Sequence, residues 1–342
     1  MVPLPRFAGA DAIGNAMTLP RRRFLHLAAS AAALPAAVRS ACADTYPSRP
    51  VHLIVGFGAG SASDIDARLL AQWLSQRLGQ QFVVENRAGA GGNIASDYVI
   101  HAAPDGYTLL YASTAVAINA TLDAGKVDYD FQRDTVPVAA IVRTPFVMEV
   151  NKELPIKTVP EFIAYAKANP GKINFATVGP GSAQHLYGEY FKMLTGINMV
   201  PVHYHGAAPA LTDLIAGRVQ AMFDVVVSSL SYIKSGQVRA LAVTTAAPQA
   251  VLPGVPTVGQ FVPGYEASGW QGVCAPAKTP AAIVDKLNAE INAGLADAEF
   301  KEKLAKLGGA PSPGTPADWG KFIASETVKW GKVVREAGLK PE

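Results

Sequence analysis

Val51-His52-Leu53-Ile54-Val55-Gly56-Phe57-Gly58-Ala59-Gly60-Ser61-Ala62-Ser63-Asp64 is the stretch from which the rest of the chain can be read. Five β-prone residues run into three glycines spaced two apart. A helical pattern opens behind them, with Ile65, Leu69, Trp73 and Leu78 near one face and Asp64 as the expected N-cap. Such a turn lets backbone N–H groups converge on one point, where the positive end of the helix dipole favours an anion. The expectation is a βα unit whose turn, from Gly56 to Ser63, cradles a carboxylate or a phosphate.

The unit repeats outward from there. Residues 82–85 read as a strand that leads through Asn86-Arg87-Ala88-Gly89-Ala90-Gly91-Gly92 into a helix, and 108–112 as a strand opening onto Ser113-Thr114. A second series begins near Phe146, with a helix capped by Thr158, a strand ending at Thr177, the loop Val178-Gly179-Pro180-Gly181-Ser182 and a helix through Thr195. The strand 199–204 then meets His205-Gly206-Ala207, and a further strand ends at Asp224. Strands alternating with helices predict an α/β chain with mostly parallel sheets, and 342 residues suggest two domains. Proline and glycine crowd 248–263, and 270–275 reads as a strand returning to the first domain. A helix from Pro280 with Thr279 as cap and a last one over 318–337 follow it. The expected division is therefore 44–144 plus 249–342 for a discontinuous domain 1, and 145–248 for domain 2. In open sheets of this kind ligands bind outside the carboxyl ends of the strands, so the turns are expected to face a cleft.

The first 43 residues read as an export signal. Arg21-Arg22-Arg23-Phe24-Leu25 precedes a weakly apolar run, and Ala41-Cys42-Ala43 offers a small-x-small cleavage site, so cutting after Ala43 is expected. The paired arginines suit the twin-arginine route, although Pro20 stands where that signal usually carries Ser or Thr, so ordinary Sec export stays open. Met17 is an alternative start, and Arg39 argues against lipidation of Cys42. With the leader gone, only Cys274 of the two cysteines remains, in an apolar run that suggests inert core. The leader also holds five arginines and one aspartate. Removing them from the 30 basic and 27 acidic residues turns a net charge of +3 into −1. A near-neutral chain without a Lys/Arg cluster gives no footprint for nucleic acid.

Several chemistries fail on their own residues. A dinucleotide fingerprint needs glycine where Ser61 stands, and a P-loop needs a lysine that is absent. The loop Gly179-Pro180-Gly181-Ser182-Ala183 misplaces the serine of a nucleophile elbow, so Ser182 reads as a hydroxyl donor and helix cap, and His185 as a packing or capping side chain. His203 and His205 alternate on a strand end as a chelating pair would, without further ligands in view. Asp224 ends an apolar strand, where it serves either as a structural cap or as a ligand contact. Trp73 and Phe175 read as core. No metal, no cofactor and no catalytic residue is expected. The loops offer N–H and hydroxyl groups, which suits holding a carboxylate rather than breaking a bond.

Taken together, the chain resembles the Bug family, the periplasmic solute-binding receptors of tripartite tricarboxylate transporters. The likeness runs through Tyr46-Pro47-Ser48-Arg49-Pro50, the turn ending Ser63-Asp64-Ile65-Asp66-Ala67-Arg68, and Glu85-Asn86-Arg87-Ala88-Gly89-Ala90-Gly91-Gly92. It continues in Ala103-Pro104-Asp105-Gly106-Tyr107, Gly206-Ala207-Ala208-Pro209-Ala210-Leu211, Pro253-Gly254-Val255-Pro256-Thr257 and Ala275-Pro276-Ala277-Lys278-Thr279-Pro280. The resemblance implies a two-domain periplasmic-binding-protein fold, type II-like, closing on a small organic acid. It places ligand contacts on residues 57–64, Ser113, Thr114, Thr177, Gly181, Ser182, Tyr204, His205, Gly206, Ala207 and Asp224. It also implies a monomer that hands its ligand to the transporter's membrane components. Ser61, Pro180 and His205 depart from the usual residues of the family. A secreted metal-dependent hydrolase built on His203 and His205, and a sensor subunit with the same pocket, are the competing readings.

Overall fold

The computed structural model describes residues 46–340; the leader and its cleavage site lie outside them. Eleven strands and eleven α-helices follow in order among the described residues: β1 (Val51–Val55), α1 (Ala62–Leu78), β2 (Phe82–Asn86), α2 (Asn93–Ile100), β3 (Thr108–Ser113), α3 (Thr114–Leu122), α4 (Phe131–Asp134) and β4 (Thr135–Thr144). The chain then forms β5 (Phe146–Asn151), α5 (Val159–Ala168), β6 (Ile173–Thr177), α6 (Ala183–Thr195), β7 (Met199–His203), α7 (Ala207–Ile215), β8 (Ala221–Val225), α8 (Val226–Lys234) and β9 (Val238–Val243). It ends with β10 (Gly269–Pro276), α9 (Ala281–Ala296), α10 (Ala298–Lys306), β11 (Ala310–Pro311) and α11 (Pro316–Glu336).

The strands form two sheets, ordered β11-β4-β10-β3-β1-β2 and β7-β6-β8-β5-β9. In the first, β1 pairs in parallel with both β2 and β3, while β10 runs antiparallel between β3 and β4. In the second, β6 pairs in parallel with β7 and β8, and β5 runs antiparallel between β8 and β9. The sheets are therefore mixed. Each holds a parallel trio from consecutive βα units, and a counter-running strand where the chain passes from one sheet to the other. Right-handed crossovers from β1 to β2 and from β2 to β3 send α1 and α2 to opposite faces, which leaves a crevice where the order reverses, at the ends of β1 and β3.

One continuous apolar core reaches both sheets, from Ile54 and Leu110 in the first to Phe175 and Phe223 in the second. The last helix joins them. Trp330 of α11 stacks on Tyr187 of α6 with ring centroids 5.2 Å apart, and Trp330 and Trp270 both donate their indole N–H to Glu326 Oε2, at 2.8 and 2.9 Å. Burying a large apolar side chain of this kind contributes about 1.5–3 kcal/mol. Cys274 lies in the same core, with its thiol pushed up to about 12 by burial, which makes it inert as expected. None of the helices among the described residues is long and apolar enough to cross a membrane.

Several local expectations are corrected. Ser61, not Asp64, is the N-cap of α1, and Ile65 is 41% exposed; the helix instead buries Ser63, Asp64, Asp66, Ala67, Leu70, Ala71 and Leu74. Thr279 does not cap α9, because its hydroxyl donates to the Pro276 carbonyl and Pro280 takes the cap position. Thr315 caps α11 through a reciprocal bond pair with Asp318, so that helix starts at Pro316 rather than at residue 318.

Candidate functional site

Helix N-termini gather at the carboxyl ends of the parallel strands. Helix α1 opens after β1, α3 directly after β3, α6 after β6, α7 after β7 and α8 directly after β8. The first N–H groups of each helix have no intrahelical acceptor, and the dipole adds positive potential there.

The first turn is held from within. Gly56 passes so close to Gly92 that a Cβ on it would stand 2.9 Å from the Gly92 Cα, so only glycine fits. Gly60 turns the chain with φ +82°, and its N–H donates to Asp64 Oδ2 at 2.8 Å, while Ser61 Oγ accepts the Asp64 N–H at 3.3 Å. Asp64 also accepts from Arg68 Nε at 3.1 Å and from Asn86 Nδ2 at 2.8 Å. The Arg68 hydrogen bond, helped by Gly60 and Asn86, holds the Asp64 carboxyl down at about 2. Asn86 Nδ2 also donates to the Phe57 carbonyl at 2.9 Å, so β2 fastens the loop at two points. Asp64 and its cation are thus committed to shaping the turn. What faces outward is Gly58, Ala59, Gly60 and Ala62, with Phe57 and Ser61 half-buried.

Ser63 and the β3 turn form the next part. Ser63 Oγ accepts from Gln271 Nε2 of β10 at 3.3 Å, and Gln271 sits opposite Ser113 in the β10–β3 register. Ser113 caps α3, and the buried Thr114 hydroxyl oxygen accepts the Trp270 N–H at 3.0 Å. The pocket bounded by Gly56, Phe57, Gly92 and Ser113 is only about 10 Å³, room for one water. A larger cavity of about 330 Å³, lined by α3, the α3–α4 connection and Thr327, takes in none of the expected site residues.

The second sheet builds its turn in the same way. Gly181 (φ +70°) donates its N–H to His185 Nδ1 at 3.2 Å, and Ser182 Oγ accepts the His185 N–H at 3.3 Å while donating to the Gly179 carbonyl at 2.7 Å. His185 therefore acts as a capping side chain, as expected. Burial first, then His203 and Lys192, pushes it down to about 4, so it is neutral and presents Nδ1 as an acceptor. Thr177, fully buried, lies 2.6 Å from His203 Nδ1, and its backbone carbonyl accepts the Tyr204 N–H at 2.9 Å. Tyr204 donates its hydroxyl to Asp213 at 2.8 Å, His205 is exposed, and Gly206 (φ +125°) leads into Ala207 at the start of α7. Asp224 is fully buried and accepts from Gln184 Nε2 and Ser229 Oγ, both at 3.3 Å; burial pushes its pKa up. A Cβ on Gly181 would come within 3.2 Å of Leu122 at the end of α3, so this loop abuts the helix that Ser113 opens.

The structure therefore groups residues 57–64 with Ser113 and Thr114 on one sheet, and Thr177, Gly181, Ser182, Tyr204, His205, Gly206 and Ala207 on the other. Asn86, Arg68 and Gln271 were not expected. Asn86 had a signal in its place directly after a strand, whereas Gln271 lay inside an apolar run with none. His203 is tied to Thr177. Among the described residues, the group of acids and histidines spaced for a metal is Asp97, His101 and Asp128, which includes neither His203 nor His205.

Two sheets of this order with helix N-termini turned toward their strand ends define a two-domain solute-binding protein. The sequence profile described as tripartite tricarboxylate transporter family receptor matches residues 66–339. The protein BugT of Bordetella pertussis is 40% identical over 302 residues, 87% of this chain and 92% of BugT. Among solved structures, R. palustris Rpa4515 with adipate is 38% identical with a TM-score of 0.73, over 87% of this chain and all of that one. MatC from Rhodopseudomonas palustris with bound malate is 31% identical with a TM-score of 0.69, over 84% and 100%. The chain belongs to the tripartite tricarboxylate transporter receptor family. It is a solute-binding receptor and not an enzyme, so the hydrolase reading of His203 and His205 falls.

Proposed function

We propose that this receptor captures a small organic acid by its carboxylate between the two sets of turns and presents it to the membrane components of a tripartite transporter. The observation that carries the reading is the repeated helix N-terminus. Ser61, Ser113 and Ser182 cap helices that start at the strand ends, and Arg68, next to the first turn, is already bound to Asp64. Such a surface favours an anion through N–H and hydroxyl groups and the helix dipoles. The first contact set comprises Phe57, Gly58, Ser61, Ala62, Ser63, Ser113 and Thr114. The second comprises Thr177, Gly181, Ser182, Tyr204, His205, Gly206 and Ala207, while Asp64 and Asp224 support them from behind. The relatives solved with adipate and malate make dicarboxylates the first acids to try.

In this reading 44–144 with 249–342 form one lobe and 145–248 the other, and a monomer closes by hinge motion on its ligand. The chain reaches the periplasm once the leader is cut after Ala43. A thermal-shift screen of the mature chain over organic acids tests the proposal. An acid present at 100 times its Kd is expected to stabilise the fold by about 2.7 kcal/mol. Shifts from amines, sugars or metal ions, with none from carboxylates, would overturn it.

A further inference from the structure

Beneath the first turn lies a cluster of buried polar groups, one of which, Gln271, also bonds the turn through Ser63. Asp66 of α1, one helical turn beyond Ser63 on the same side of the helix, is 6% exposed, and no side chain among the described residues hydrogen-bonds its carboxyl. Tyr111 of β3 is 2% exposed with its hydroxyl unpartnered, and Gln271 of β10 has an unpartnered Oε1 while its Nε2 reaches Ser63. Tyr111 and Gln271 share a face of the sheet, because Tyr111 lies opposite Val273 and Gln271 opposite Ser113 in the same register. That is the face α1 covers, since Ser63 touches Gln271. A carboxylate on a residue this little exposed is costly in its charged form, whereas a protonated one is neutral.

We propose that capture of a carboxylate at the first turn is coupled to uptake of a proton from solvent by Asp66. The inference rests on the function proposed above. Asp66 lies about five residues into α1 from the Ser61 cap, roughly 7–8 Å along the axis. A ligand carboxylate over the cap and an ionised Asp66 would repel each other, and both would draw on the same helix dipole. Protonation of Asp66 removes the conflict, and by reciprocity the bound anion favours the proton.

Burial pushes Asp66 up to about 7, which puts the exchange in the neutral range. The other titratable or charged groups of the packed elements do not offset it. Tyr111 is neutral, Asp64 is bound to Arg68 and Asn86, and His52 pairs with Glu85. On α9, Asp285 is exposed, Glu290 holds Arg77, and Lys286 has an interaction of its own.

Calorimetric titration of the mature chain with adipate, in buffers of different ionisation enthalpy at pH 7.5, tests the coupling. Uptake of roughly half a proton per adipate is expected, with affinity falling roughly tenfold between pH 6 and 8.5. Asp66→Asn, the neutral isostere, is expected to bind adipate with no proton uptake and no such pH dependence. Adipate binding by the parent chain with heats independent of the buffer would overturn this inference and leave the carboxylate reading standing. Unchanged uptake in a folded Asp66→Asn would overturn it as well. No adipate binding at all would remove the reading on which it rests, and the inference with it.

Discussion

The two glycine-serine turns of the molecule have one design and two different keystones. Gly60-Ser61-Ala62-Ser63-Asp64 and Gly181-Ser182-Ala183-Gln184-His185 follow strands of different sheets, and their caps are almost superposable, with φ −68°, ψ 160° at Ser61 and φ −64°, ψ 159° at Ser182. In each, the serine oxygen accepts the N–H three residues on, and the side chain of that third residue accepts the N–H of the glycine before the cap. In the first turn that residue is an ionised aspartate secured by Arg68; in the second it is a neutral, buried histidine. A receptor can thus shape both halves of an anion site while keeping each keystone's own charge compensated or absent. The N–H groups beyond the serine are left to the ligand.

Breaking the second keystone is expected to cost the most. His185→Ala removes a buried ring and strands the Gly181 N–H, and a loss of about 3 kcal/mol in urea unfolding is expected. The imidazole, lowered to about 4 in the fold, is protonated in the unfolded chain below about 6.5. Its contribution is therefore complete above that pH and is lost as pH falls from 6.5 to 4, and this slope should vanish from the stability profile of the variant.

Asp64→Ala breaks the first keystone at a smaller cost, about 2 kcal/mol, because Arg68 can return to solvent. Here the folded value is depressed from 3.8 to about 2, so the contribution is present above about 4 and fades as pH falls toward 2. The two turns are thus expected to fail in separate pH windows. A single shared window would mean that the two keystones do not differ in charge as an ionised aspartate and a neutral histidine do.

How far this was legible in sequence depends on where the signal lay. The βα units were readable because glycine and serine mark each turn after a β-prone run. The keystones were harder. Asp64 was read as the cap because it is the last capping-type residue before the helical pattern, but Ser61 wins by offering its oxygen to the Asp64 N–H. The apolar stripe of α1 does not mark its buried face, because its first turns bury Ser63, Asp64 and Asp66 while Ile65 is left outside. Strand β4 gave no alternation, since it lies between β10 and β11 with Val138, Ala139, Ile141 and Val142 all buried, and Pro137 interrupts its pattern. Contacts made across the sheet, such as Gln271 to Ser63, leave no local trace at all.

In the proposed function one acid is held by both turns at once. Amide shifts of ¹⁵N-labelled mature protein, titrated with the acid that stabilises it most, test this directly. Ala62 and Ser63 of the first turn and Ala183 and Gln184 of the second are expected to move together, with one shared Kd. Shifts confined to one turn, or centred on the cavity beside α3, would contradict it.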